Sequence, residues 1–270
     1  MHRTYLYTPG DRPDRMAKAH GLAVDALILD LEDGVAPSAK SAARRDVVSF
    51  VESCPADGPA LLVRVNPLAL VEDLAALSSV LGRIDAVYLA KATVGLLDEL
   101  DDLLGEAPTE VIGLIESAQG VLDAPEIARH PRIRNLAMGE ADLGAELGID
   151  ASADFSEFLP LRMSVVVASA AAEIDPPTAP VSTQFRDLDA FRADTESLRR
   201  MGFGARSCIH PDQLAVAAEV FTPGAADVES ARELVAAFEA AVARGEGVFV
   251  GPDGRMVDEA VVRHARRLLG

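Results

Sequence analysis

Cysteine is scarce in this chain: Cys54 and Cys208 are the only two among 270 residues. Two are too few for a disulfide framework, and they lack metal-ligand spacing. The histidines His2, His20, His130 and His264 add no ligand pattern. Bases are also few, 25 Lys and Arg against 43 acids, for a formal charge of −18. That balance argues against a nucleic-acid partner, whose phosphates it would repel. It does not exclude a small anionic substrate, because local bases can dominate one mouth of a protein. No apolar run approaches the roughly 18 to 20 residues that span a bilayer, so no membrane partner is expected. Met1-His2-Arg3-Thr4-Tyr5 enters a strand-like segment with no apolar signal region, and the expected location is cytoplasmic. Gly-x-Ser-x-Gly, Walker and dinucleotide motifs are missing as well, which leaves those mechanisms without support.

What the chain does have is a set of short apolar runs, each ending in a charged or strongly polar residue. Ala26-Leu27-Ile28-Leu29 runs into Asp30, Glu32 and Asp33; Leu61-Leu62-Val63 into Arg64 and Asn66; Ala86-Val87-Tyr88-Leu89-Ala90 into Lys91. Val111-Ile112-Gly113-Leu114-Ile115 runs into Glu116, and Leu136-Ala137-Met138-Gly139 into Glu140 and Asp142. Runs this short suit strands buried on both faces, as in a parallel sheet covered by helices. The intervening Ala- and Leu-rich segments are helical in pattern. A βα repeat with its polar groups at one strand end describes a (β/α)8 TIM barrel, whose active site lies at the C-terminal face.

The remaining elements follow from the same period. The first strand is expected over Thr4–Tyr7, before the turn at Thr8-Pro9-Gly10 and a helix from Pro13 to His20. A poor seventh strand is expected near Ile174, cut off by Pro176 and Pro177. The eighth is expected over Phe203–Ile209, with a closing helix from Pro211 to Phe221. Thr222-Pro223-Gly224 then breaks the pattern. The domain reading is therefore a barrel over 1–222 and a C-terminal extension over 223–270, holding two helices and a Gly-rich hairpin-like stretch.

Glu116 and Asp142 follow the fifth and sixth strands and should be neighbours on the barrel rim. Two carboxylates without a Cys/His cluster suit magnesium, which takes one or two carboxylates plus waters and substrate oxygens. The plainer alternative makes Glu116 an internal ion-pair partner and Asp142 a helix cap. Asp30 and Glu32 share a strand face, and with Asp33 they could bind a cation's outer waters or pair with nearby bases. Arg64 ends an apolar strand, where a charge is costly unless paired; its planar fork suits a carboxylate or an oxyanion, and an ion pair to the strand-two acids is the plainer alternative, compatible with that role. Lys91 either neutralises the acids or forms a Schiff base, and those same acids oppose the depressed pKa that a Schiff-base role requires. Arg12, Arg15 and Lys18 form a basic cluster that is either a phosphate contact or a solvated helix face. His210 is either a catalytic group or a packing residue before Pro211.

Taken together, these segments resemble the citrate lyase beta-subunit-like branch of the malyl-CoA/citramalyl-CoA lyase family of HpcH/HpaI aldolases. The likeness rests on Leu6-Tyr7-Thr8-Pro9-Gly10-Asp11-Arg12-Pro13, Leu29-Asp30-Leu31-Glu32-Asp33-Gly34-Val35 and Arg64-Val65-Asn66. It continues through Leu114-Ile115-Glu116-Ser117-Ala118-Gln119-Gly120, Gly139-Glu140-Ala141-Asp142-Leu143, Ile209-His210-Pro211-Asp212-Gln213 and Gly254-Arg255-Met256-Val257-Asp258. Ser117 stands where the family usually has Thr, and keeps the hydroxyl.

The resemblance implies a Mg2+-dependent barrel lyase that cleaves a 3-hydroxyacyl-CoA thioester to a 2-oxoacid and acetyl- or propionyl-CoA. It further implies trimers or hexamers in which a C-terminal lid reaches a neighbouring subunit. By motif, Glu116 and Asp142 hold the metal, with Glu32 and Asp33 supporting its waters. Arg64 contacts the thioester oxygen, Arg12 and Lys18 meet CoA phosphates, and Asp258 is the acid/base group of the lid. The alternatives are a citryl-thioester lyase subunit working with an acyl-carrier protein, a CoA thioesterase, and a catalytically silent barrel.

Overall fold

The computed structural model describes residues 2–269 apart from 56, 153 and 252–253. Eight parallel strands follow one another around a closed ring: β1 (Thr4–Pro9), β2 (Ala26–Asp30), β3 (Ala60–Val65), β4 (Ala86–Leu89), β5 (Glu110–Ile115), β6 (Ile133–Met138), β7 (Asp175–Ala179) and β8 (Ala205–Cys208). Pairing of β1 with β8 closes it. Helices cover the outside: α1 (Pro13–His20), α2 (Lys40–Ser53), α3 (Leu70–Leu77), α4 (Val94–Leu104), α5 (Ala118–Ile127), α6 (Glu140–Leu147), α7 (Leu159–Ala171), α8 (Leu188–Met201) and α9 (Asp212–Phe221). The (β/α)8 barrel expected from the sequence is the fold.

Strand side chains alternate between two cores, as a period of two requires. Tyr5, Ala26, Ile28, Leu62, Ala86, Tyr88, Ile112, Leu114, Ala137 and Ala205 form one apolar cluster, which fills the lumen. Leu27, Leu29, Val63, Val87, Leu89 and Leu136 pack outward with helix residues such as Val47, Leu74, Leu97 and Ile127. The next lumen-facing position on five of the strands is polar: Tyr7, Asp30, Arg64, Glu116 and Ser207. Each lies two residues beyond a lumen apolar residue, and Asp30 sits directly opposite Arg64 in the β2–β3 register. The barrel period therefore lays a polar layer on top of an apolar plug.

The seventh strand corrects the sequence expectation. It begins after Ile174 and runs through Pro176 and Pro177 to Ala179 instead of being cut off by them. A proline has no N–H to give to a ladder, and the β6–β7 register shifts across the pair, from Asn135 opposite Asp175 to Ala137 opposite Thr178. The carbonyl of Pro177 still accepts from Gly204 N at 3.0 Å. The sixth strand starts earlier than its apolar run, and its polar residues find partners there: Asn135 Nδ2 donates to Thr178 Oγ1 at 3.0 Å, although its buried Oδ1 accepts no hydrogen bond from the described residues, and Arg134 pairs with Glu110 and Asp175.

Two compact units are present, Met1–Phe221 and Thr222–Gly270. In the second, α10 (Ala225–Ala243) packs on α11 (Glu259–Leu269), and β9 (Phe249–Val250) pairs antiparallel with β10 (Met256–Val257). Phe238, Val257 and Val262 form its small core. Among the described residues, no helix is long and apolar enough to cross a membrane.

Candidate active site

A cavity of about 740 Å³ opens at the carboxyl ends of the strands. Its wall includes Tyr7, Asp30, Asp33, Arg64, Glu116, Met138 and Asp142, with Arg15, Lys18 and His210 also on the lining. Glu32 lies behind this wall with 3% exposure.

Arg64 is fixed from three sides. Its Nε and Nη2 donate to the two Asp30 oxygens at 2.7 Å each, and Nη1 lies 3.0 Å from Glu32 Oε2. The Tyr7 ring sits 4.9 Å from the guanidinium carbon, a cation–π contact. Asp30 is itself anchored: Glu32 N–H and Gly34 N–H donate to its two oxygens at 2.8 Å. A Cβ at residue 34 would collide with the Asp30 carboxylate, so glycine is required there. Burial opposes the charge on Arg64, but the Asp30 hydrogen bonds and the surrounding anions outweigh it and raise its pKa. The arginine is thus a preorganised cation with its fork spent on Asp30 and Glu32 and its outer edge toward the cavity.

Glu116 follows directly on β5, with 3% exposure. Oε1 accepts the Lys91 main-chain N–H at 2.9 Å, and Oε2 accepts no hydrogen bond from the described residues. Burial pushes its carboxyl up to about 8, with the nearby Glu32 charge adding to the shift. Gly139 makes room for it: a Cβ there would lie 2.6 Å from Oε2 and 2.7 Å from the Glu116 Cβ. Asp142 sits in the first turn of α6 and is partly exposed. Glu140, in the same turn, is taken out of the reactive set by Arg162, whose Nε and Nη2 donate to its oxygens at 2.5 and 2.9 Å.

Among the described residues, no group of three or more His, Cys, Asp and Glu side chains could hold a metal ion. What the cavity offers is different: Glu116 and Asp142, oxygen donors only, with open volume beside them. Two carboxylates with room for waters and substrate oxygens match the donor set of magnesium. A cation against Oε2 would also relieve the buried carboxylate, whose charged form is otherwise disfavoured. The residues present therefore fit a magnesium ion.

The other residues singled out from sequence fall as follows. Lys18 and Arg15 line the cavity, whereas Arg12 is an exposed partner of Asp14 at 3.0 Å and does not. Lys91 is ringed by Glu32, Asp33 and Asp142, which together with Glu116 hold its ammonium charged against burial. An amine so held is no Schiff-base nucleophile. His210 stacks on Phe185 at 5.0 Å, and its Nδ1 accepts from Asp212 N–H at 3.3 Å. Ser117 caps α5 by accepting from Gly120 N–H. Asp258, in the second unit, caps α11: its Oδ1 accepts from Val261 N–H at 3.1 Å. Sequence reasoning overlooked Tyr7 and Arg162. The strand period from Tyr5 points to Tyr7, and a lone arginine in an Ala/Val-rich helix points to Arg162.

The model of the HpcH/HpaI aldolase/citrate lyase family matches residues 3–211. A (3S)-malyl-CoA thioesterase of Cereibacter sphaeroides is 36% identical over 99% of this chain and 93% of its own length. An L-malyl-CoA/beta-methylmalyl-CoA lyase of Cereibacter sphaeroides is 32% identical over 98% of this chain and 92% of its own length. Among solved structures, CitE of Mycobacterium tuberculosis in complex with magnesium, acetoacetate and coenzyme A superposes with a TM-score of 0.83. It is 31% identical, and the match covers 99% of this chain and 97% of that one.

Proposed function

This chain belongs to the HpcH/HpaI aldolase/citrate lyase family, and on that premise we propose that it is a Mg2+-dependent lyase of CoA thioesters. The reaction is retro-Claisen cleavage of a 3-hydroxyacyl-CoA such as malyl- or citramalyl-CoA. The 3-hydroxyl loses its proton, the C2–C3 bond breaks, and its electron pair passes to the thioester enolate. A proton returned to C2 completes acetyl- or propionyl-CoA beside a 2-oxoacid such as glyoxylate or pyruvate. The observation that carries the reading is one rim bearing both a carboxylate pair suited to magnesium and an arginine locked beside it.

Glu116 and Asp142 would hold the metal, which supplies Lewis-acid polarisation of the oxoacid oxygens when bound. Arg64 stabilises the negative charge that grows on the thioester oxygen; it is oriented before reaction, so no reorganisation is needed at the moment of cleavage. Asp33 on the cavity wall and Glu32 just behind it would support the waters of a bound metal. Lys18, Arg15 and Arg12 are the bases for the CoA phosphates, and the exposed Arg12–Asp14 pair is weak enough to open for them. Incubating the protein and magnesium with malyl-, methylmalyl-, citramalyl- and hydroxymethylglutaryl-CoA, with a hydrazine trap for the oxoacid, tests the reading. Formation of the trapped oxoacid from at least one ester is expected; none from any of them would defeat it. A thioesterase is the second reading, favoured by the 36% identical relative of that name. It would release a free thiol and no oxoacid.

The raised Glu116 pKa sets the pH dependence of metal binding. A carboxylate must be ionised to bind a metal, so below about pH 8 magnesium has to expel a proton from Glu116. Affinity is expected to fall about tenfold per pH unit on the acid side and to level off on the alkaline side. Calorimetry in buffers of different ionisation enthalpy should find nearly one proton released per metal at about pH 6.5 and almost none at about pH 9.5. Equal proton release at both would mean that Glu116 is already ionised at about pH 6.5 in the free protein or is not a ligand; the Glu116→Gln titration separates the two.

Asp258 is the proposed donor of the C2 proton, carried on a C-terminal lid that closes over a neighbouring subunit within a homotrimer or hexamer. The Thr222-Pro223-Gly224 break and the separate compactness of Thr222–Gly270 support such a mobile part. Asn caps helices about as well as Asp, so Asp258→Asn keeps the cap and removes the acid. Glu116→Gln and Asp258→Asn proteins, each inactive alone, should regain up to about a quarter of wild-type activity when their subunits exchange at random. Exchange without recovery would place the lid's action within its own chain, or remove Asp258 from the chemistry.

A further inference from the structure

One residue touches every carboxylate of the proposed metal set. The Lys91 main-chain N–H donates to Glu116 at 2.9 Å. Its ammonium lies 2.5 Å from Glu32 Oε1, 3.4 Å from Asp33 Oδ2 and 3.9 Å from Asp142 Oδ2. The backbone is bent to achieve this: φ at Lys91 is +48°, a left-handed conformation uncommon for residues with a side chain. Its neighbours hold the bend, since Ala90 and Ala92 are fully buried and Ala92 N–H donates to Leu114 O at 3.0 Å.

The charge pattern gives this placement a consequence. Asp30 is matched by Arg64, and Glu32 is shared between Arg64 and Lys91. Among the described residues, Lys91 is the only cation within 4 Å of Asp33 or Asp142. A divalent cation that takes Asp142 must therefore do so with a positive charge already 3.9 Å from that group. The side chain is 39% exposed, and a lysine stem is long and flexible, so the ammonium can withdraw without disturbing the barrel.

We propose that Lys91 is a tethered cation that competes with magnesium for the acid cluster. It steadies Glu32, Asp33 and Asp142 when no metal is present, and it makes the resting site bind magnesium weakly. The inference rests on the assignment of Glu116 and Asp142 as ligands.

Calorimetric titration of magnesium chloride alone, at fixed ionic strength, into full-length wild type, Lys91→Met, Lys91→Arg and Glu116→Gln tests it. Removing a unit charge beside the site should tighten magnesium binding about tenfold or more in Lys91→Met. Arginine keeps the charge, so Lys91→Arg should stay within about threefold of wild type. Without metal, Lys91→Met should melt below wild type, and magnesium should raise its melting temperature by more. A folded Lys91→Met with unchanged or weaker affinity overturns the proposal and makes Lys91 a simple anchor for the ligands. Should Lys91→Met not fold, Lys91→Asn, whose side chain suits a left-handed backbone, gives the same comparison. Glu116→Gln reports separately on the ligand assignment: affinity unchanged there removes that assignment whatever Lys91→Met does, and if both are unchanged both claims fall.

Discussion

Glu116→Gln and Asp142→Asn are expected to remain folded and to lose magnesium affinity and turnover together. The loss should exceed the roughly 10–100-fold that removing a partner of a metal ligand costs. Glu116→Gln should be close to neutral in its effect on the fold, because burial already favours the uncharged carboxyl at this position. Asp142 is partly exposed in the first turn of α6, where an amide fits the same space. Calorimetry with magnesium and a thermal melt on each variant separate the outcomes. Unchanged affinity in both would remove the ligand assignment, and loss of the fold would make the pair a structural element of the rim.

Arg64→Lys is expected to lower kcat by about 100- to 1,000-fold with little change in the apparent affinity for the CoA ester. Lysine keeps the positive charge but cannot reproduce the two 2.7 Å bonds to Asp30 and the contact with Glu32 at the same time. Its ammonium would settle on the acids and leave the thioester oxygen without its oriented donor. Alanine is the poorer probe, since leaving Asp30 buried and unpaired costs about 3–5 kcal/mol of stability. Steady-state kinetics decide the matter: if kcat holds and only the CoA-ester affinity drops, Arg64 is a clamp on the cofactor portion.

Both predictions draw on features that the sequence announced unevenly. Most strands were legible because they are short apolar runs, and the site carboxylates because each ends such a run. The period-two rule already put Asp30 and Glu32 on one face, and the cost of an unpaired Arg64 already pointed to these acids as its partners; the β2–β3 register adds how they meet, with Arg64 directly opposite Asp30. The seventh strand was misplaced because its ladder is carried partly by carbonyls, as at Pro177, and its hydrophobic signal is interrupted by two prolines. Arg162 escaped notice because its partner, Glu140, is 22 residues away in the chain. Arg15 and Lys18 could be grouped from spacing, but only the helix orientation separates them, on the cavity wall, from the exposed Arg12. The raised pKa of Glu116 is likewise a property of burial beneath Gly139 and cannot be read from its place in a strand.

The most direct test of the account is the product balance of metal-stripped protein with its best 3-hydroxyacyl-CoA, before and after magnesium is restored. The expected result is no turnover without metal. With metal, each 2-oxoacid should appear with one acetyl- or propionyl-CoA, no thiol should be released, and Glu116→Gln should give neither product. Free CoA thiol appearing beside the intact hydroxy acid, or oxoacid formed at full rate without metal, would contradict it.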